Sequence, residues 1–206
     1  MRKLSTILRK GQKALQDLEL LKILQSEISH ELSSNPFQDI EGGSLGDFVV
    51  DWDSAKSRDV VLRRKCDTGE EVVVSALLGP LPVGSGTEVA LPRDVLMKVC
   101  VKKPGLRSLL QFDCEFYQTD DDDGSAFDIH NAHYLQSSTI VSNSAYRGPL
   151  FSSLDLHLQT ALKDYLVAKG VGGSLINFLR LHLHKKEQDQ YVNWLKKLES
   201  LVAKAE

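Results

Sequence analysis

SSLDLHLQTALKDYLVAKGVGGSLINFLRLHLHKKEQDQYVNWLKKLESLVAKAE, residues 152–206, decides the fold. Ser152 followed by Asp155 resembles a capping box, in which a hydroxyl satisfies an orphan backbone N–H and a carboxylate sits in the positive first turn. Leu154, Leu158, Ala161, Leu162 and Tyr165 then fall three or four apart, which places them on one helical face. Lys169 suits the negative end of that helix, and Gly170 can adopt the left-handed conformation that stops it, with Val171 as the apolar contact beyond. Gly172 and Gly173 form a connector, and Ser174 is positioned to cap the next helix. Leu175, Ile176, Phe178, Leu179 and Leu183 continue an apolar face. After the polar run HKKEQDQ, Tyr191, Trp194, Leu195, Leu198, Leu201 and Val202 form a second stripe. The spacing predicts two helices, the second long, with a kink fitting the polar run around Lys185–Gln188.

A long stripe of this kind needs a partner, and the other end of the chain supplies one. Residues 3–33 read as a helix in which Ile7, Ala14, Leu21 and Ile28 recur at heptad spacing, with Gly11, Leu18, Gln25 and Leu32 four further on. Leu4, Leu8, Leu15 and Leu24 widen the stripe. The two stripes are expected to pair as antiparallel terminal helices. Ile7, Leu18, Leu21 and Ile28 on one, and Tyr191, Trp194, Leu198 and Leu201 on the other, are the candidate helix-pair or oligomer interface.

Between the helices the period changes to two. Asn35-Pro36 ends the first helix, and an acidic linker with Gly42-Gly43 follows. Strands are predicted at Phe48–Trp52, Asp59–Lys65, Glu70–Leu78, Val95–Lys103, Leu106–Tyr117 and Phe127–Leu135, and Ser138–Tyr146 is a candidate seventh. Asp67-Thr68-Gly69 between two β-rich runs is a hairpin signal, and Pro104-Gly105 is a second turn. Runs of strands bracketed by helices indicate an α+β fold with an antiparallel sheet rather than alternating βαβ units. The chain is read as one domain, 1–206, with the N-terminal helix at 1–34, the sheet at 47–147 and the C-terminal helices at 152–206.

Composition narrows the function. The 206 residues carry a net charge of −3 and ordinary hydrophobic and charged fractions, enough chain to bury a core without disulfides or metals. No apolar run approaches the ~18 residues of a bilayer span, so a soluble protein without a membrane span is expected. Cys66, Cys100 and Cys114 include no CxxC pair and point to a reducing or redox-neutral compartment. Charge is uneven. Residues 1–16 hold five basic residues and no acid, whereas residues 17–53 hold nine acids against Lys22 alone. A basic, amphipathic, acid-free start resembles a mitochondrial transit segment, and equally reads as a plain helix with basic first turns.

No motif calls for catalysis. Asp120, Asp121, Asp122 and Asp123 form an acidic loop, but adjacent aspartates lack the alternating ligands and distal Glu of a calcium loop. They read as a solvated loop that attracts basic partners. His130 and His133 stand at odd spacing on a strand, which puts them on opposite faces, and neither HExxH nor a His/Cys cluster occurs. No GxSxG elbow or phosphate-binding loop is present. Strand alternation splits Arg63-Arg64-Lys65, so direct nucleic-acid binding is not expected. No cofactor or metal is expected.

LDLHLQTALKDYLVAKGVGGSLINFL (residues 154–179) followed by KEQDQYVNWLKKLESLV (residues 186–202) resembles the C-terminal signature of the mitochondrial acidic matrix protein family, also called the mitochondrial glycoprotein family. Its animal member binds the globular heads of a complement subcomponent. The matching residues are Leu154-Asp155, Ala161-Leu162, Tyr165-Leu166, Gly170-Val171, Glu187, Tyr191, Trp194-Leu195 and Leu198. Gln111-Phe112-Asp113-Cys114-Glu115 resembles the family's strand before an acidic loop. The resemblance extends loosely from about Asp47 to the C-terminus; the N-terminal helix matches in kind only, and this chain is less acidic than the family.

The resemblance implies a twisted seven-stranded antiparallel sheet flanked by helices, with the terminal helices packed together, assembled as a ring-shaped homotrimer. It also implies a non-enzymatic, acidic, multi-ligand protein of the mitochondrial matrix that binds basic or partly unfolded proteins. Such a protein would act as a scaffold or chaperone-like adaptor linked to mitochondrial translation and oxidative phosphorylation. A cytosolic or nuclear adaptor for basic nucleic-acid-binding proteins is the alternative expectation.

Overall fold

A computed structural model describes residues 2–34, 42–80, 93–117, 126–137 and 146–203, of which 2–14 and 126 are described in backbone only. The elements run α1 (Arg2–Ser33), β1 (Val49–Asp53), β2 (Val60–Lys65), β3 (Glu71–Leu78), β4 (Val95–Lys102), β5 (Leu109–Tyr117), β6 (Ala126–Leu135), a 3-10 turn at Phe151–Ser153, α2 (Leu156–Ala168) and α3 (Gly173–Ala203). The chain divides into two compact units, one from Ile40 to His184, the other comprising Met1–Asp39 and Lys185–Glu206.

The first unit is built on a six-stranded sheet whose strands lie in sequence order, each antiparallel to the next. Period-two alternation explains it. Val72, Val74, Ala76 and Leu78 face the core, and across β4 they meet Val101, Val99, Met97 and Val95 in register. Those in turn meet Leu110, Phe112, Cys114 and Phe116 of β5. This face is covered by Leu162, Tyr165 and Leu166 of α2 and by Leu175, Ile176, Leu179 and Leu183 of α3. Each large apolar side chain taken fully from water contributes roughly 1.5–3 kcal/mol, so this single layer dominates the unit's stability. The candidate seventh strand, Ser138–Tyr146, lies outside the described residues except for Tyr146, and the sheet has six strands among the described residues. The fifth strand begins at Leu109, not Leu106, because Pro104-Gly105 and the following residues are consumed by the turn, with Gly105 at φ +75°.

Helix ends follow local side-chain chemistry at some positions and tertiary contacts at others. Asp155, not Ser152, caps α2: its Oδ1 accepts from the His157 N–H at 2.9 Å and the Leu158 N–H at 3.4 Å. Ser152 sits one step earlier, in the 3-10 turn. At the other end, the Gly170 N–H reaches the Val167 carbonyl at 2.9 Å and the Val171 N–H the Leu166 carbonyl at 3.0 Å, with Gly170 at φ +85°. That is the paired hydrogen-bond pattern of a left-handed helix stop, sealed by fully buried Val171. Ser174 does not cap α3, which begins at Gly173; its Oγ and carbonyl instead accept from the Ser44 N–H, each at 3.1 Å. Only glycine fits at position 43 beside it, since a β-carbon there would lie 2.0 Å from the Ser174 carbonyl oxygen. The polar run at Lys185–Gln188 does not break α3, for it holds no proline or glycine to interrupt the backbone ladder.

In the second unit, α1 and the later part of α3 pair through Leu24, Ile28 and Leu195, with Leu198 and Val202 packed against them. Gln25 donates to Glu199 at 3.0 Å, Tyr191 donates to Glu27 at 3.1 Å, and the Gln188 amide donates to the Glu31 carbonyl at 3.0 Å. Partners rise along α1 as they fall along α3, so the helices are antiparallel.

Candidate interaction surfaces

The terminal helix pair leaves much of its apolar surface uncovered. Of the residues singled out in the sequence, Ile28 is buried in the pair, Leu198 packs against it, and Leu21 is half-buried. Leu18 (55% exposed), Trp194 (54%) and Leu201 (71%) face solvent, and Tyr191 is more than a third exposed. The side chain of Ile7 lies outside the described residues. Leu15, Leu20, Ile23 and Leu32 add further exposed apolar area on α1. Tyr191 and Trp194 stack with ring centroids 6.0 Å apart, forming an aromatic platform on α3. Leu24 and Leu195, the other buried residues of the pair, were read as part of the stripes but not as its centre.

The sheet face turned away from the core is ionic. Asp113 and Glu115 alternate with the buried Phe112, Cys114 and Phe116. The His130 ring nitrogen is 2.8 Å from Glu115, and that of His133 is 3.5 Å from Asp113, which also lies 3.8 Å from Lys98. Both histidines therefore share one face, against the expectation from their spacing. The cause is a β-bulge: Asp113 pairs with Asn131 and Cys114 with Ile129, which leaves His130 as an extra residue that shifts the alternation. Beside them, burial opposes ionisation of Asp128, but hydrogen bonds from Lys163 and Tyr117 hold its carboxyl below the usual range.

Asp47, Asp51 and Asp53, in the described part of the acidic 39–53 segment, each have a partner within the chain. Asp47 pairs with Arg64 at 2.9 Å, and Asp53 meets His182 at 2.8 Å. Asp51 pairs with Arg63 at 2.7 Å, and that hydrogen bond holds its carboxyl below its ordinary value. Asp120, Asp121, Asp122 and Asp123 lie outside the described residues. At the exposed edge strand β1, Val49, Val50 and Trp52 are uncovered, and a bulge between Val50 and Trp52 interrupts the ladder.

Two of the three thiols, Cys100 and Cys114, are poor nucleophiles. Burial pushes Cys114 up to about 12 and raises Cys100 as well. Among the described residues, no three His, Cys, Asp or Glu side chains are grouped to hold a metal ion, and no helix is long and apolar enough to cross a membrane.

The sequence profile of the mitochondrial glycoprotein family matches residues 91–202, more than half of the chain. The chain belongs to the mitochondrial glycoprotein family. The match spans β4 to the end of α3 and so includes the helix stop at Gly170-Val171 and the Tyr191–Trp194 platform. The chain is similar to a mitochondrial protein of Arabidopsis thaliana, 25% identical over 194 residues, covering 89% of this chain and 74% of that one. It is also similar to the mitochondrial acidic protein mam33 of Schizosaccharomyces pombe, 30% identical over 105 residues, covering 46% of this chain and 36% of that one. Two solved structures share the fold. The Trypanosoma brucei p22 protein superposes with a TM-score of 0.68 at 20% identity, covering 91% of this chain and 99% of that one. A Leishmania major protein described as a sequence homologue of human p32 gives 0.69 at 17% identity, with the same coverage.

Proposed function

We propose that this mitochondrial glycoprotein family member is a non-catalytic binding protein of the mitochondrial matrix. In this reading it self-assembles as a ring-shaped homotrimer and acts as a scaffold or chaperone-like adaptor for basic or partly unfolded proteins, in support of mitochondrial translation and oxidative phosphorylation. The observation that carries the reading is the uncovered apolar area on the terminal helix pair: Leu18, Trp194 and Leu201 are each more than half exposed although the same helices bury Leu24, Ile28 and Leu195. Large apolar residues left exposed on a helix pair suit protein–protein contact. The mitochondrial names of the relatives support the compartment, and the basic, acid-free residues 1–16 suit an import segment.

The test has three arms. Multi-angle light scattering at micromolar concentration should give about three times the chain mass, and a clean monomer would remove the assembly. Affinity capture from intact mitochondria should enrich basic proteins of the translation apparatus. A reporter fused to residues 1–16 that stays in the cytosol, together with cytosolic full-length protein, favours the cytosolic or nuclear adaptor instead.

A further inference from the structure

We propose that the turns at the end of the sheet form a binding cleft for a small polyphosphate-bearing molecule. Two hairpin turns lie side by side there. The turn after β2 closes through the Gly69 N–H to the Cys66 carbonyl at 2.9 Å, and the turn after β4 through the Leu106 N–H to the Lys103 carbonyl at 3.3 Å. They touch: a β-carbon at Gly69 would meet Pro104 at 3.4 Å. The cleft between and above them has a volume of about 430 Å³, within the ~300–1,000 Å³ range of small-molecule sites.

Its charge runs against that of the chain. Lys65, Glu71 and Lys102 stand in one cross-strand row, β2 to β3 to β4, and Lys103 extends it into the turn. The single carboxylate in the row, Glu71, is taken by Arg63 Nη1 at 2.7 Å. Among the described residues none forms an ion pair with Lys65, Lys102 or Lys103, and all three are exposed. Three lysines thus line one cleft in a protein of net charge −3. Lysine presents three rotatable donors on a compact point charge, which suits phosphate oxygens whose arrangement varies. Beside them, Gly105 is in the left-handed conformation, and a β-carbon there would meet nothing within 4 Å, so the mouth is open to a ligand. A polyphosphate relieves the mutual repulsion of the lysines and fills the cleft. This inference is independent of the scaffold reading, which concerns acidic loops and apolar helices elsewhere on the chain.

Isothermal titration calorimetry of the full chain with sodium tripolyphosphate tests it, with ATP and a single-stranded oligonucleotide as separate arms. Saturable binding of tripolyphosphate is expected, weakening as salt rises because the attraction is screened over about 8 Å at physiological ionic strength. Lys102→Gln and Lys103→Gln should each weaken it at least ~10-fold, whereas Lys56→Gln, outside the cleft, should leave it unchanged. ATP binding with the same dependence identifies a nucleotide-sized ligand. Hydrogen exchange supplies a second readout: amides of residues 66–69, 103, 105 and 106 should gain protection on addition of tripolyphosphate. Absence of saturable binding, binding indifferent to both cleft substitutions, protection elsewhere, or binding of the oligonucleotide alone would each overturn the proposal.

Discussion

The Lys169 ammonium closes on the Glu70 carboxylate, tying the C-cap of α2 to the turn that opens β3. Glu70 is only 7% exposed, and it also accepts from the Tyr165 hydroxyl at 3.4 Å, while the Lys169 Nζ lies 5.2 Å from the centre of the Tyr165 ring. A carboxylate this deep in the fold depends on its partners, because a buried charge left unpaired is costly.

Lys169→Met should therefore lower stability by roughly 1–3 kcal/mol. The hydrogen bond to Glu70 raises the Lys169 pKa. A raised folded value means the stabilisation is fully present below the unfolded lysine value of about 10.4 and is lost as pH rises through the folded one. Thermal melts of wild type and Lys169→Met should differ most at neutral pH and converge as pH rises through the raised folded lysine value. A difference that persists unchanged at high pH would refute the electrostatic account.

Gly170→Ala should be destabilising by about 1–3 kcal/mol. The position requires positive φ, and the new β-carbon would lie 2.8 Å from Arg64 Nη1 and 3.1 Å from the Phe48 ring. At ~2–4 °C per kcal/mol for a chain of this size, the loss is measurable in a melting curve. Gly172→Ala, where a β-carbon meets nothing within 4 Å, is the matched control and should leave the melting temperature within a degree or so.

Leu195 and Trp194 are neighbours in sequence with opposite roles. Leu195 is 3% exposed in the helix pair, and Trp194 is 54% exposed beside it. Leu195→Asp should cost on the order of 4 kcal/mol or more and melt the pair. Trp194→Asp should leave helical content near wild type and abolish self-association in light scattering. Retention of the full assembly mass in Trp194→Asp would exclude that platform from the interface.

Thiol labelling at pH 8 should order the cysteines by burial. Cys114, 3% exposed and pushed up to about 12, should react only after unfolding. Cys66 and Cys100 are half-buried, and the raised Cys100 thiol should label more slowly than Cys66. Mass spectrometry after partial alkylation reads the order directly, and early modification of Cys114 in native protein would contradict the packing.

Replacing Asp120, Asp121, Asp122 and Asp123 with asparagine should weaken association with a basic protein and flatten its salt dependence. Thermal stability should move by no more than ~0.5 kcal/mol, as for most surface substitutions. Unchanged binding at high salt and in the asparagine variant would assign recognition to the apolar helix face.

The chain by itself determined much of what depends on neighbouring residues, although Ser152 and Ser174 do not cap their helices and β5 starts three residues after Leu106. Strand alternation marked the six strands within a few residues, Asp67-Thr68-Gly69 marked a hairpin, and Gly170-Val171 marked a helix stop, because each is encoded in local backbone preference and in the period of the apolar side chains. Features that depend on pairing were decided by the tertiary structure. The bulge opposite Asp113 and Cys114 brings His130 onto the same face as His133, and no count along one strand shows that two residues oppose one on the next. The basic row Lys65, Glu71 and Lys102 exists only in the register of three strands. On the terminal helices the stripe was legible, but which leucines it hides was not: a heptad pattern is wider than the seam it makes, and only the docking of Leu24 and Ile28 against Leu195 left Leu18 and Trp194 in water.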